Sequence, residues 1–185
     1  MQRRSVNPRL LELTLIHYSY MDSPLGCLYL AQHPMGLCCL TLGDGAKDKL
    51  FSYIQKVFPA AELKASQAML KAIIQQFSEY FAGERTAFDL KLFLSGTEFQ
   101  KLVWNGLMKI PYGKTISYGA LAASLNSPGG MRAVGTANGQ NPIPIIIPCH
   151  RVIASDGSLG GYTGGLKIKR QLLDLELQKN TPTLF

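Results

Sequence analysis

The chain has 185 residues, 46% of them hydrophobic, and a formal net charge of +7 with a pI near 9.3. Its length and composition are ordinary for a globular protein with one large domain or two small ones. The basic charge favours an anionic partner, either nucleic acid or an acidic membrane surface. No segment approaches the roughly eighteen uninterrupted apolar residues of a membrane helix, so a membrane-spanning protein is not expected.

The cysteines and the first residues predict a reduced, intracellular protein. Cys27, Cys38 and Cys39 crowd one region while Cys149 stands alone, which is not the pattern of a disulfide framework. The basic first residues lead into an apolar stretch that Glu12 interrupts, and no small-residue cleavage site follows. We expect a cytoplasmic location, or a nuclear one in a eukaryotic host.

The first half reads as a small antiparallel sheet followed by two helices. Residues 11–42 consist of short apolar segments separated by Pro and Gly at hairpin spacing, with a turn predicted at HPMG, residues 33–36. Two amphipathic segments follow, Lys47–Phe58 and Ser66–Phe81. Their apolar stripes recur at helical spacing and are expected to lie in the core.

A domain boundary is predicted near residues 88–96, where the composition is broken and has no helical period. This places a first domain at residues 1–94 and a second at residues 95–185. The first carries ten Lys and Arg against eight Asp and Glu, and the second carries nine against four. The excess of positive charge therefore lies mostly in the second domain.

The second domain opens with a strong helix signal. Thr97 and Gln100 have the spacing of a capping box, and apolar residues recur on one face as far as Ile110. Ser117 can cap a second helix over YGALAASLN. The stretch SPGG supplies a serine cap and a first-turn proline for a third helix, from about Pro128 to Ala137. The last two helices, joined by a tight turn, form a candidate helix-turn-helix.

The third of these helices has an unusual composition. Gly129, Gly130 and Gly135 each cost about a kcal/mol of helix propensity relative to alanine. Close packing against a neighbouring helix would explain them. Alternatively, the small residues leave a low surface that a bulky partner can approach, with Arg132 as its one long cationic side chain; a DNA groove would suit both features.

The stretch NPIPIIIPCHRV, residues 141–152, places Cys149 directly beside His150. An isolated cysteine is most often an inert small hydrophobe, but the prolines here rigidify the loop and fix the position of Cys149. A helix that starts at this point would put the thiol near a positive helix end, which favours the thiolate. Adjacent side chains on a helical turn do not face each other, so His150 is expected to take the thiol proton through a bridging water.

An acidic group behind His150 would hold the imidazole in the required tautomer and stabilise its protonated form. Asp156, Asp174 and Glu176 are candidates by position. Spacing alone does not choose among them.

With these residues assembled, the sequence resembles the O6-alkylguanine-DNA alkyltransferases, also called methylated-DNA–protein-cysteine methyltransferases. The match runs from GTEFQKLVWNGLMKIPYGKTISYGALA through RAVGTANGQNPIPIIIPCHRVIASDGSLGGYTGGLKIKRQLLDLE, about 80 residues without an obvious gap. PCHR alone is weak evidence, but in this frame it is highly specific. The first half matches more loosely, through DSPLG and GLCCLTLG.

The resemblance implies an α/β (α+β) fold in two parts. The first is a ribonuclease H-like domain, a small antiparallel sheet with flanking helices. The second is a mainly helical, winged helix-turn-helix-like domain that carries the active site. The family docks this motif in the minor groove of double-stranded DNA, unlike the usual major-groove docking.

The implied activity is direct-reversal DNA repair. The alkyl group of O6-alkylguanine, and possibly of O4-alkylthymine, moves irreversibly to Cys149 after the base is flipped out of the duplex, and each molecule acts once. A monomer that can bind DNA cooperatively is expected, with no cofactor. Some relatives hold a structural zinc, and His33 and Cys38 fall where two ligands could lie, but four partners are not evident, so no metal is predicted.

The resemblance also implies the catalytic roles. Cys149 is the alkyl acceptor, His150 the base that acts through a water, and Glu176 its acidic partner. Asn141 braces the turn that holds the cysteine. Tyr118 donates its hydroxyl proton to the guanine ring as the base leaves.

Substrate and DNA contacts are implied in the same way. The Val152 carbonyl takes the exocyclic amine, Thr163 contacts O6, and Tyr118 and Tyr162 also bind the base. Arg132 fills the gap left by the rotated nucleotide. The remaining implied DNA-binding residues are Ser117, Ala133 and Gly135.

Three alternatives compete with this interpretation. A lesion-binding protein of the alkyltransferase-like kind would signal damage without transfer, but those relatives lack the acceptor cysteine. A Cys-His-acid hydrolase would need an oxyanion site and a route for water, and it leaves the helix-turn-helix unexplained. In a transcription regulator that uses the same helices, Cys149 would be incidental.

Overall fold

The structure is a computed structural model that describes residues 14–178. Its elements follow one another in this order: β1 Leu15–Ser23, β2 Gly26–His33, β3 Gly36–Thr41, α1 Ala46–Val57, β4 Glu62–Ala65, α2 Gln67–Phe81, α3 Glu98–Leu107, β5 Ile116–Ser117, α4 Tyr118–Ser124, α5 Met131–Gly139, a 3₁₀ turn Cys149–Arg151, β6 Val152–Ile153 and α6 Leu166–Gln178.

The first half contains a four-stranded sheet in the order β3-β2-β1-β4. β1, β2 and β3 form an antiparallel meander, and the predicted turn at residues 33–36 joins β2 to β3. Gly36 is required there, because its φ is 144° and a Cβ would lie 2.5 Å from the Lys91 carbonyl oxygen. The predicted antiparallel sheet is confirmed, and residues 11–13 of the predicted region lie outside the described part of the chain.

One strand of this sheet was not expected from the sequence. β4 pairs in parallel with β1 and extends the sheet beyond the antiparallel meander. It has only four residues, and three of them are exposed, so its polar–apolar alternation is too short to distinguish a strand from a loop.

The two helices of the first half begin within one residue of their predicted positions. α1 starts at Ala46 instead of Lys47, and α2 starts at Gln67 after the predicted Ser66. The Ser66 hydroxyl accepts a hydrogen bond from the Met69 amide, which satisfies one of the free N–H groups at the helix start.

The apolar core joins the two halves of the molecule. A smaller cluster lies between α1 and the sheet and includes Ile16, Leu50 and Phe58. A larger cluster runs from Leu30 and Phe77 in the first half to the following residues of the second half: Val103, Trp104, Cys149 and Leu172. The halves therefore pack through apolar side chains, while a division at residue 94 stays a prediction.

The outer edge of β3 is covered by segments from outside the sheet. The Leu37 amide donates to the Lys91 carbonyl, and the Phe93 amide donates back to the Leu37 carbonyl, both at 2.8 Å. Further along the strand, the Leu40 amide donates to the Pro142 carbonyl at 2.8 Å. This sheet edge, which would otherwise expose unpaired backbone groups, is therefore bonded to the loop that precedes Cys149.

His33 and Cys38, which fall where some relatives could hold zinc ligands, take part in packing and hydrogen bonds. His33 is buried, stacks on Phe93 with ring centroids 4.2 Å apart, and accepts a hydrogen bond from the Met35 amide at Nδ1. The Cys38 thiol donates to the Ala31 carbonyl. Between residues 14 and 178, no three His, Cys, Asp or Glu side chains are grouped so that they could hold a metal ion.

The helices of the second half follow their predicted caps with one correction. Thr97 and Gln100 form the capping box of α3, and the Ser117 hydroxyl accepts from the Ala120 amide at the start of α4.

α5, however, begins at Met131 and not at Pro128. The φ of Gly129 is 85°, a left-handed conformation that ends any helix attempted before it.

α3 and α5 are held together by the only tryptophan. Trp104 is 1% exposed, and its indole Nε1 donates to the Ala137 carbonyl at 2.9 Å. Gly96 accommodates the ring, because a Cβ there would lie 2.6 Å from it. None of the helices in the described part of the chain combines the length and apolarity that crossing a membrane requires.

We expect Trp104→Phe to lower the free energy of unfolding by about 2–4 kcal/mol. The substitution removes the indole donor, so that among the described residues the Ala137 carbonyl keeps only the Gln140 amide at 3.2 Å, and it opens a gap beside Gly96. Urea unfolding followed by far-UV circular dichroism measures this without tryptophan fluorescence. A loss below about 0.5 kcal/mol would show that the bond between α3 and α5 contributes little.

Candidate active site

The loop at residues 141–148 is closed from within by one side chain. Asn141 Nδ2 donates to the Ile147 carbonyl at 2.7 Å, and its Oδ1 accepts from the Ile143 amide at 2.9 Å. Ile145 adopts a φ of 77°, a conformation that costs a branched residue free energy and persists only where its surroundings enforce it. The loop therefore delivers Cys149 at a fixed position.

Cys149 opens the short 3₁₀ turn and is 4% exposed. Burial raises the pKa of its thiol to about 11, although a hydrogen bond with Asn141 and the charge of Lys169 pull the pKa in the opposite direction. The backbone amides of the turn lower the pKa of the thiol, as expected for the start of a helix, but burial outweighs them. At neutral pH the thiol is protonated and needs a base.

His150 is fully buried and bonded to Glu176. Its Nε2 lies 2.8 Å from Glu176 Oε1. Burial lowers the pKa of His150, against the opposing influence of the Glu176 carboxylate, so the ring is neutral at pH 7 and we assign the hydrogen to Nε2. Nδ1 then carries a lone pair and, within the described residues, has no hydrogen-bond partner.

Glu176 receives donors from three parts of the chain. Its Oε1 accepts from His150, from the Tyr80 hydroxyl at 2.8 Å and from Arg151 Nη2 at 2.9 Å. Its Oε2 accepts from Arg151 Nε and from the Gly113 amide, both at 2.9 Å. Burial alone would raise the pKa of this carboxyl, but the hydrogen bonds from His150 and Arg151 lower it to about 2.

The other two acidic candidates are not in this position. Asp156 is exposed and accepts from the Ser158 amide two residues along the chain. Asp174 is exposed on α6. Of the three candidates, Glu176 is the one bonded to His150.

Two of the implied substrate residues, Tyr162 and Thr163, line the same cavity as Cys149. Burial, and after it the nearby Cys149, raises the pKa of both Tyr118 and Tyr162. The Tyr118 hydroxyl lies 3.5 Å from the Gly161 carbonyl. The Thr163 hydroxyl donates to the Gly139 carbonyl at 2.8 Å.

Lys169 is a part of the site that sequence reasoning missed. It is 0% exposed, and its Nζ donates to the carbonyls of Val152 at 2.6 Å and Gly161 at 3.2 Å, and also to the Leu159 carbonyl. The Val152 carbonyl implied as a substrate contact thus already has one donor. Lys169 lies four residues before Leu173, on the same buried face of α6. This helical spacing could have indicated that the lysine is buried.

Arg151 and Tyr80 were also missed as contributors. Arg151 is buried, donates twice to Glu176, and donates through Nη1 to the Ile110 carbonyl at 2.6 Å. Tyr80 comes from α2 in the first half. Nothing in the local sequence marks either partner, because both meet Glu176 only through the tertiary fold.

A cavity of about 730 Å³ opens beside Cys149 between the two halves. This is within the size range of small-molecule sites, which are mostly apolar with a few placed polar groups. The Tyr162 hydroxyl is buried and, among the described residues, unpartnered. The lining includes residues of both halves: Cys39, Leu40, Tyr53, Asn141, Pro144, Cys149, Tyr162 and Thr163.

The helix pair presents an exposed face at the start of α5. Arg132 and Ala133 are exposed, and Arg132 forms no ion pair with any described residue. Gly135 is half-buried, and a Cβ there would touch the Tyr118 ring at 3.9 Å. That distance is an ordinary van der Waals contact, so packing does not require glycine at this position. Arg132 and Ala133 remain available to a partner. Ser117 is half-buried at its cap position.

Comparison with protein families gives two matches that together span most of the chain. Residues 16–94 match the ribonuclease-like domain of 6-O-methylguanine DNA methyltransferase, and residues 98–178 match the DNA-binding domain of the same family.

Individual relatives agree with the family match. The chain is 47% identical over 164 residues to the methylated-DNA–protein-cysteine methyltransferase of Mycobacterium leprae, covering 88% of this chain and 93% of the relative. It is 41% identical over 148 residues to the inducible enzyme of that name from Bacillus subtilis, covering 80% and 83%. The crystal structure of Mycobacterium tuberculosis OGT in complex with DNA superimposes with a TM-score of 0.76 at 43% identity, covering 90% of this chain and 96% of that one.

We expect Lys169→Met to lower the free energy of unfolding by at least about 2 kcal/mol, because buried carbonyls lose a charged donor. It should also slow the alkylation of Cys149 by iodoacetamide at pH 8, since the nearby positive charge favours the thiolate. Thermal melting and mass-resolved labelling of the Cys149 peptide measure the two effects. Lys167→Met, at an exposed position of the same helix, is the control, and equal behaviour of the two variants would contradict the assignment.

Proposed function

The chain belongs to the 6-O-methylguanine DNA methyltransferase family, and we propose that Cys149 is its acceptor for the alkyl group of O6-alkylguanine in double-stranded DNA. The observation that carries the proposal is that Cys149, His150 and Glu176 are all buried and that His150, next to Cys149 in the chain, is hydrogen-bonded to Glu176. DNA repair by direct reversal is the function that the family assignment supports. A single, irreversible transfer per molecule is the finer part of the proposal.

The chemistry suits these groups. A thiolate is a soft nucleophile that attacks saturated carbon, and guanine is a poor leaving group unless its developing charge meets a hydrogen-bond donor. The neutral His150, with a bare Nδ1 and with Nε2 bonded to an ionised Glu176, can accept a proton and be stabilised as imidazolium.

The transfer proceeds as an in-line displacement. The Cys149 proton passes through a water to His150 Nδ1, and the sulfur forms a bond to the alkyl carbon as the bond from that carbon to guanine O6 breaks. The electron pair of the broken bond goes to the guanine, which takes a proton from the Tyr118 hydroxyl. Tyr118 recovers a proton from solvent and His150 releases one. The net result is that guanine gains a hydrogen and the thiol loses one.

The products explain a single turnover. A thioether has no good leaving group on its carbon, so the site has no route by which water regenerates the thiol. The Val152 carbonyl, Tyr162 and Thr163 are proposed to hold the guanine beside Cys149. Asn141 is proposed to brace the turn, as its two hydrogen bonds across the loop support.

The exposed start of α5 is the proposed DNA contact. Arg132 is free to enter the space that a flipped nucleotide vacates, and the low Ala133 beside it allows close approach in the minor groove. The other proposed DNA-binding residues are Ser117, at the start of α4, and Gly135, within α5. A reduced, cytoplasmic setting is proposed because all four cysteines of the described residues are free thiols.

Incubation with an oligonucleotide that contains O6-methylguanine tests the function directly. We expect the intact protein to gain the mass of one methyl group, located on the Cys149 peptide, and to stop at one equivalent. Cys149→Ala should bind the same DNA without gaining mass. Repeated turnover would favour a hydrolase, and binding without any mass change in the wild type would favour a lesion sensor.

Arg132→Ala should slow repair of the duplex about tenfold or more, because flipping costs a few kcal/mol of stacking and pairing that the side chain replaces. Reaction with the free base O6-methylguanine should be unchanged. The same rates are measured for Lys71→Ala as a control for net charge, because this variant removes an exposed charge from α2. Equal slowing of duplex and free-base reactions would contradict a role in extrusion.

A further inference from the structure

We propose that Tyr80, which belongs to the first half of the chain, is a positioning residue of the alkyl transfer because its hydroxyl holds the Glu176 carboxylate against His150. This inference rests on the proposed function of Cys149. It assigns to the ribonuclease-like half a direct part in the chemistry of the second half.

Tyr80 reaches the site from the last turn of α2. Its hydroxyl donates to Glu176 Oε1 at 2.8 Å, and both residues are 0% exposed. Aromatic rings fix the tyrosine in place: its centroid lies 5.4 Å from those of Phe81 and Phe88 and 6.1 Å from that of Tyr112. A buried hydroxyl in such a position has little freedom to find another acceptor.

The oxygen that Tyr80 contacts is the one that orients His150. Oε1 accepts from the Tyr80 hydroxyl, from His150 Nε2 at 2.8 Å and from Arg151 Nη2 at 2.9 Å. Each donor fixes the direction from which the others approach. Loss of the hydroxyl would leave this oxygen with one donor fewer in a medium where an unmet lone pair is costly.

The same bond limits how strongly Glu176 attracts a proton onto His150. A donor on Oε1 disperses part of the carboxylate charge, so its removal strengthens the attraction for imidazolium. The other charged or titratable groups around His150 are Arg151, Lys169 and Cys149, and Tyr80→Phe leaves all three in place. The variant therefore changes the base and its orientation without changing the nucleophile.

Tyr80→Phe keeps the aromatic packing and removes the oxygen atom. We expect the rate of methyl transfer on its pH plateau to fall about tenfold, comparable to the loss of outer partners behind other functional histidines. The acid limb of the rate profile between pH 5 and pH 8 should move to higher pH, because His150 is protonated more readily. Single-turnover mass spectrometry with methylated duplex measures both effects.

Nitrogen chemical shifts of His150 provide a readout that is independent of alkyl transfer. In the wild type they should report a neutral ring with hydrogen on Nε2 near pH 7, and in Tyr80→Phe a raised pKa. Tyr18→Phe is the matched control, since it removes a hydroxyl from the sheet of the same half, and it should leave rate, profile and shifts unchanged. Thermal melting establishes that both variants are folded.

The outcomes separate the two proposals. A wild type that gains no methyl group would refute the proposed function whatever Tyr80 does. A wild type that transfers the methyl group, beside a folded Tyr80→Phe with unchanged plateau, acid limb and His150 shifts, would overturn the role of Tyr80 alone. A loss of rate without movement of the acid limb or the shifts would also overturn it, because it would indicate only altered packing.

Discussion

The site depends on keeping the Glu176 carboxylate ionised in the interior. Such a charge is costly to bury unless it is paired and hydrogen-bonded, and here donors from His150, Arg151, Tyr80 and the Gly113 amide satisfy it. These bonds join α2, the segment before β5, the 3₁₀ turn and α6 at one point. The arrangement that sets the tautomer of His150 is therefore also an arrangement that holds the molecule together.

Burial has opposite effects on the pKa values of Cys149 and His150, the two residues proposed to react. It raises the pKa of the Cys149 thiol to about 11 and lowers the pKa of His150. The resting pair is thus a neutral thiol beside a neutral base. An unmodified thiol in this state resists adventitious alkylation and oxidation, which require the thiolate. In the proposed single transfer, such a nucleophile is activated only when the substrate is in place.

Local patterns predicted local structure well, and tertiary partners poorly. The caps at Thr97 and Ser117 were readable because a capping residue acts within three positions of itself. Spacing alone left three acids as partners of His150, since the choice depends on where α6 packs, and only the family resemblance selected Glu176. The predicted start of α5 is too early because a serine followed by a proline is a typical helix start. The left-handed conformation of Gly129, which follows them, cannot be read from the residue type alone. Tyr80 acts through a contact with a distant segment, which no spacing rule reports. Helical spacing indicates that Lys169 is buried, but not which carbonyls it binds.

The first half of the chain holds the reactive segment on both sides. Before Cys149, the Leu40 amide of β3 binds the Pro142 carbonyl in the loop that Asn141 closes. After it, Tyr80 of α2 binds the carboxylate that orients His150. A displacement of the sheet relative to α6 would thus move the nucleophile and its base by different amounts. In the proposed reaction, proton transfer and displacement require a defined geometry between these two residues. The ribonuclease-like half is then a structural part of the proposed active site, and the continuous apolar core between the halves keeps both contacts in place.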